Sequence, residues 1–290
     1  MDPSEPERRT VLAPDGRTRT FCLVDPLSSR SGDEVGAAGR KAAPLVVAIH
    51  GGGDSALHFC SRSDFHRLAV QRGFVLALPE GLGDGGEADP RGPYRRSWNA
   101  GRCCGAAVRL GVDDVGFIAG LVDLVCAELP IDPGRRFAVG HSNGGMLAFR
   151  LALELPGLFA GIGVQSASIA VDTPGPTVAT HLIAVHGGSD RHHPIEGGRG
   201  PDSAVESPYG SVREACARFA AVEGAQVELV EVPEGTHSWM GARAAVVAEG
   251  SRRPLAGGPP FAGFESATAI WEFLDRATSD SAGETGGNSR

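Results

Sequence analysis

Several things are scarce in this 290-residue sequence, and each absence excludes something. No apolar run approaches the ~20 residues that a membrane-spanning helix needs, so a membrane partner is not expected. The net charge of −8 is spread rather than blocked, and no basic stripe is present, which argues against nucleic acid. Six cysteines are too few for a disulfide scaffold of this length. Cys22, Cys126 and Cys216 fall in apolar-periodic stretches and read as small core residues. Cys103 and Cys104 are neighbours, and a bond between neighbours closes a strained ring, so each is expected to stay a thiol or to pair elsewhere. The state of Cys60 stays open. The start, Met1 to Arg9, has no apolar core of a secretory signal. A cytoplasmic protein is therefore expected, with a mature or trimmed chain as the alternative. Neither an internal repeat nor a second domain is visible.

Apolar content of 41% and charged content of 21% are those of a soluble globular protein. The expected layout is a flexible polar tail over residues 1–17, a single catalytic domain over 18–277 and a disordered tail over 278–290. Leu45 to Ile49 and Phe74 to Pro79 are continuous apolar runs, as in strands of a parallel sheet covered on both faces. Further strands are expected at Arg19–Val24, Phe159–Gln165, His181–Val185 and Gln226–Val232. Helices are expected at Ser63–Arg72, Val112–Leu129, Ser211–Val222 and Phe264–Arg276. Asp113 and Asp114 open the second of these and suit its positive end as caps. Ser28–Ala43, Glu80–Gly111 and the possible flap Gly241–Gly263 read as loops.

The chain is organised around Gly140-His141-Ser142-Asn143-Gly144, between a strand-like run and a helix-like run. Small residues on both sides of a serine allow a strand to turn sharply into a helix and lift the hydroxyl clear of the sheet. Among 42 glycines the bare pattern is weak, and its context carries the signal. His50-Gly51-Gly52-Gly53 ends the strand Leu45–Ile49, and amides freed of side chains there suit an oxyanion hole. Gly52 and Asn143 are the candidate donors. Asp190 follows the strand His181–Val185, where an acid partner belongs, with Asp172 and Asp202 as competitors. His237 comes after both serine and acid and is the candidate general base. Trp98 is either a loop anchor or a substrate contact, and Trp239 and His141 are further candidate substrate contacts. His192 and His193 read as solvated, and they lack a third ligand for a metal.

These residues resemble the polyhydroxybutyrate depolymerase-like esterases of the α/β-hydrolase superfamily, a group with feruloyl and acetylxylan esterases as relatives. The resemblance runs from about Leu45 to Leu274. It rests on His50-Gly51-Gly52, Ser97-Trp98-Asn99-Ala100-Gly101 with Cys103-Cys104-Gly105, Asp113-Asp114-Val115-Gly116-Phe117, Gly140 to Met146, His186 to Asp190 with Pro194 to Gly198, and His237-Ser238-Trp239. It implies an α/β-hydrolase fold, a mostly parallel central sheet with helices on both faces. It also implies a serine esterase with its triad at Ser142, Asp190 and His237. No metal or organic cofactor is implied. The expected partner is a small or oligomeric ester, and the expected state is a monomer or homodimer. The alternatives are a peptidase or thioesterase on the same scaffold, or a non-catalytic ligand-binding protein.

Overall fold

The computed structural model describes residues 4–27, 42–83, 96–203, 208–249 and 257–284. Most of the expected loop Ser28–Ala43 lies outside the described residues, as do the middle of 80–111, part of the expected flap and both chain ends. The described chain runs β1 (Glu7–Leu12), β2 (Thr18–Val24), β3 (Ala43–Ile49), α1 (Ala56–Ser63), α2 (Phe65–Arg72), β4 (Val75–Pro79), α3 (Ala106–Arg109) and α4 (Asp114–Glu128). It continues through β5 (Ile131–His141), α5 (Asn143–Glu154), β6 (Gly161–Gln165), β7 (His181–Gly187), α6 (Val212–Ala220), β8 (Val227–Val232), α7 (Ala242–Glu249) and α8 (Ser266–Glu284).

The strands form one eight-stranded sheet in the order β1-β2-β4-β3-β5-β6-β7-β8. β1 and β2 pair antiparallel, β2 meets β4 antiparallel, and the other neighbours are parallel. The two-residue strand period divides the apolar runs between two cores. Leu45, Val47 and Ile49 face α4 and α5, where Val115, Ile118, Leu147 and Leu151 are buried with them. Val46 and Ala48 face the other way, among Phe59, Phe65, Ile270, Trp271 and Leu274 of α1, α2 and α8. That is why β3 is apolar at every position. Each large side chain buried this way contributes about 1.5–3 kcal/mol. Phe74 stacks on Trp271 with centroids 4.3 Å apart, closing the second core.

Several boundaries depart from expectation. Residues 7–12, expected within the polar tail, form β1, which pairs with β2 from Glu7↔Leu23 to Leu12↔Thr18. An edge strand needs partners along one side only, so a polar sequence suffices, and Gly16 at φ 79° makes the turn. Ala56–Ser63, for which no helix is expected, is α1, capped by Ser55 accepting from the His58 amide. The expected tail after residue 277 continues as helix, with Thr278 and Ser279 hydroxyls donating back to the Leu274 and Asp275 carbonyls. Ile131–Gly134, where Asp132-Pro133-Gly134 reads as a turn in the sequence, is the start of β5 instead. Cys126 is exposed on α4 rather than buried. Asp113 caps α4 by accepting from the Gly116 amide at 2.8 Å. Asp114, expected beside it as a cap, is instead fully buried against Arg19 at 2.8 Å and accepts from the Asn99 amide.

Candidate active site

The elbow is built by close approach. A Cβ at Gly140 would lie 2.3 Å from the Gly144 oxygen, and one at Gly144 would lie 2.4 Å from the His50 and Ile49 oxygens. Only glycine lets α5 start this close to β5 and β3. Ser142 between them sits at φ 53°, ψ −121°. Such a backbone costs a non-glycine residue about 1–3 kcal/mol. Its amide is held by the Gln165 oxygen at 2.9 Å, and its side chain is only half-buried.

Ser142 Oγ lies 2.9 Å from His237 Nε2, and His237 Nδ1 lies 2.8 Å from Asp190 Oδ2. The three come from the ends of β5, β7 and β8. Asp190 Oδ1 accepts from the amides of His192 and His193 at 2.9 and 2.8 Å. Burial alone would push the Asp190 carboxyl up. The hydrogen bond and charge of His237 and the His193 amide outweigh this and hold it well below the usual carboxylate range. Asp172 and Asp202, the competing acids, are exposed and paired with Arg102 and Arg191 instead.

Gly52 is exposed, and a Cβ there would lie 3.6 Å from the Asn143 Cβ. The glycine loop and the start of α5 therefore adjoin beside Ser142. The first amides of a helix have no intrahelical partner and point outward from its positive end. The Asn143 side chain is already committed: Oδ1 accepts from the Trp98 amide at 2.7 Å, and Nδ2 donates to the Trp98 oxygen at 3.2 Å. His50 shapes the glycine loop from below, lying 2.8 Å from the Gly51 oxygen through Nδ1 and accepting the Gly81 amide at Nε2, 2.9 Å away.

The three expected substrate contacts are corrected by burial. Trp98 is fully buried and donates its indole N–H to the His50 oxygen at 2.8 Å, so it anchors the 97–105 loop. Trp239 is buried against Phe59, Phe65 and His141. His141 is 5% exposed, with both ring nitrogens occupied by Arg62 and the His237 oxygen. The polar ring atoms of Trp98 and His141 are all paired, and all three rings are packed, which leaves them almost no surface for a ligand.

Two further expectations are overturned. Cys103 and Cys104 are bonded to each other across a cis peptide that brings their Cα atoms to 3.2 Å. His193, expected in solvent, is fully buried and stacks on Tyr209 at 4.3 Å, and burial lowers its pKa to about 3. His192 is half-buried, with its ring stacked on His237 at 5.0 Å. Cys60 is a free, buried thiol that burial pushes up to about 12. Among the described residues no three His, Cys, Asp or Glu side chains gather as metal ligands, and no helix is long and apolar enough to cross a membrane.

Sequence reasoning overlooked Gln165, Arg62 and Asp54. Gln165 donates to the Ser238 oxygen and accepts from the Met240 amide and the Ser266 hydroxyl, pinning the loop that carries His237. A buried glutamine closing an otherwise apolar strand was the available signal.

Residues 34–196, more than half of the chain, match the family model described as Esterase PHB depolymerase. The chain belongs to this esterase family. The matched span holds Ser142 and Asp190 and stops before His237. NocK of Nocardia uniformis subsp. tsuyamanensis, a protein named as an esterase, is 30% identical over 203 residues, 68% of this chain and 52% of NocK. Feruloyl esterase B of Piromyces equi is 29% identical over 135 residues, 47% of this chain and 23% of that protein. The chain thus spans about half or less of the length of these curated relatives. Among solved structures, a carboxylesterase from Mesorhizobium loti aligns with TM-score 0.52 at 15% identity, over 81% of this chain and 95% of that one. A Bacteroides ovatus protein named as a dipeptidyl aminopeptidase IV aligns with TM-score 0.58 at 16% identity, over 94% of this chain and 36% of that one. Likeness at that level shows the fold, which is that of an α/β hydrolase with a mostly parallel sheet.

Proposed function

We propose that the chain is a serine esterase that cleaves carboxylic esters through an acyl-enzyme. The observation that carries this reading is the line Ser142 Oγ–His237 Nε2–His237 Nδ1–Asp190 Oδ2, at 2.9 and 2.8 Å. Family membership supports ester as the substrate class.

His237 Nε2 takes the proton from the Ser142 hydroxyl as Oγ attacks the ester carbonyl. Asp190, kept ionised, holds Nδ1–H and stabilises the imidazolium that forms. The amides of Asn143 and Gly52 receive the tetrahedral oxyanion, and losing one such donor costs on the order of a hundred- to a thousand-fold in kcat. His237 then returns the proton to the departing alcohol. Water, activated by the same imidazole, releases the acid and restores Ser142. The continuous sheet from β1 to β8 supports one catalytic domain.

Short-chain acyl esters, hydroxyalkanoate oligomers and feruloyl esters are the substrate types to compare. The test is turnover of p-nitrophenyl acetate to octanoate, methyl ferulate and a hydroxybutyrate oligomer by wild type and Ser142→Ala. Serine-dependent turnover is expected, and its profile assigns the branch. Turnover of an anilide amide at a rate near that of the matched ester would move the reading to a peptidase. Turnover that survives Ser142→Ala would overturn it.

A further inference from the structure

His141 precedes Ser142 and takes no part in the chemistry above, yet both of its ring nitrogens are engaged. Nδ1 lies 3.0 Å from Arg62 Nη2, and Nε2 lies 2.7 Å from the backbone oxygen of His237. A guanidinium only donates, so Nδ1 presents its lone pair. A neutral imidazole carries one N–H, which is therefore on Nε2 and donates to the His237 carbonyl. The ring is held neutral first by burial and then by the cation of Arg62 and by His237.

Arg62 is itself fixed. Its Nε donates to Asp54 Oδ2 at 2.9 Å, Nη2 lies 2.7 Å from the same oxygen, and the guanidinium lies 5.1 Å from the Phe59 ring centroid. Asp54 Oδ1 accepts from the Ser55 amide at 2.8 Å and lies 2.7 Å from His58 Nδ1. Burial would raise this carboxyl, but Arg62 and His58 outweigh it and hold it well below the usual range. The His141 ring also touches the glycine loop: a Cβ at Gly51 would lie 2.9 Å from Nδ1.

We infer that Arg62, anchored by Asp54, fixes the tautomer of His141, so that His141 braces the backbone of His237 and sets the position of the base against Ser142. Arg62 and His141 are positioning residues for the proposed reaction, and the inference rests on that reading of the site. A base displaced by a fraction of an ångström still binds substrate but transfers the proton poorly. Losing the brace therefore lowers kcat and leaves KM nearly unchanged.

Glutamine is the informative replacement for His141. Its amide oxygen can accept from Arg62 while its N–H donates to the His237 oxygen, as the imidazole does. Leucine does neither. The experiment measures kcat and KM on p-nitrophenyl acetate, and the rate of fluorophosphonate labelling, for wild type, His141→Gln, His141→Leu and Arg62→Gln. Circular dichroism and melting are recorded alongside. Expected are a loss of about 10- to 100-fold in kcat and in labelling rate for His141→Leu and Arg62→Gln, and recovery to within about threefold of wild type in His141→Gln. Where His141→Leu does not fold, Arg62→Gln against His141→Gln carries the comparison. A folded His141→Leu or Arg62→Gln with wild-type kcat, or a folded His141→Gln as slow as His141→Leu, overturns the brace. A wild type that neither labels nor cleaves ester overturns the serine-hydrolase reading itself and the brace with it.

Discussion

Two aspartates with largely covered carboxylates each meet a histidine at Nδ1: Asp190 meets His237 at 2.8 Å, and Asp54 meets His58 at 2.7 Å. Distance does not tell the pairs apart. The far side of each histidine does. His237 Nε2 meets the Ser142 hydroxyl, and its side chain is 10% exposed. The His58 side chain is 42% exposed, and the second oxygen of Asp54 is taken by Arg62. A carboxylate already paired with a guanidinium has little charge left to stabilise an imidazolium, whereas Asp190 meets only amides and imidazoles. The two Asp–His pairs therefore differ in their third partner, a serine hydroxyl in one and a guanidinium in the other.

The largest effect is expected at Asp190. Asp190→Asn should lower kcat on p-nitrophenyl acetate by about 10⁴-fold, because an amide favours the wrong imidazole tautomer. Asp54→Asn should cost about tenfold or less, since Arg62 can still reach His141. Equal losses at the two positions would erase the distinction. His58→Gln should stay within about twofold of wild type, because an exposed pair contributes little.

Acid titration sharpens the same contrast. Both aspartates are held ionised below their unfolded value of about 4, so each contributes stability that is present above that pH and lost as the pH falls through it toward the folded value. Buried His193, lowered to about 3, works in the same direction over a higher window. The unfolded chain binds its proton first, and stability is lost from about pH 6.5 downward. Melting temperature should fall in two stages on acidification. His193→Gln should lessen the upper stage, to which buried His141 and His186, also lowered, contribute in the same sense, and Asp190→Asn and Asp54→Asn should lessen the lower one. A melting temperature independent of pH between 7 and 4 would contradict this. A loss of stability without a change in substrate binding is expected at Trp98. Trp98→Phe leaves the His50 carbonyl unpaired and should cost about 1–3 kcal/mol in urea unfolding with KM unchanged. A large rise in KM would return Trp98 to substrate contact.

The parts of the fold legible in sequence were those set by local pattern. Apolar runs such as Leu45–Ile49 have to be central parallel strands, and Gly140 and Gly144 mark a turn that no side chain could enter. Ser142, Asp190 and His237 could be read from chain order, and the structure brings them within hydrogen-bonding distance. The remainder depended on pairing across the chain. The polar edge strand β1 has no pattern of its own, since its partner β2 defines it. Trp98 and Trp239 look like ligand contacts until their packing partners arrive from distant segments. The bond between Cys103 and Cys104 joins two thiols whose residue types do not announce their pairing. Arg62 lies 79 positions from His141, and no spacing rule links them.

Reaction of the folded protein with a fluorophosphonate, followed by intact mass and peptide mapping, tests whether Ser142 is the activated nucleophile. One adduct is expected, on Ser142, formed much faster in wild type than in His237→Ala and absent from Ser142→Ala. Failure of the folded wild type to react, or an adduct at another residue that persists in Ser142→Ala, would contradict it.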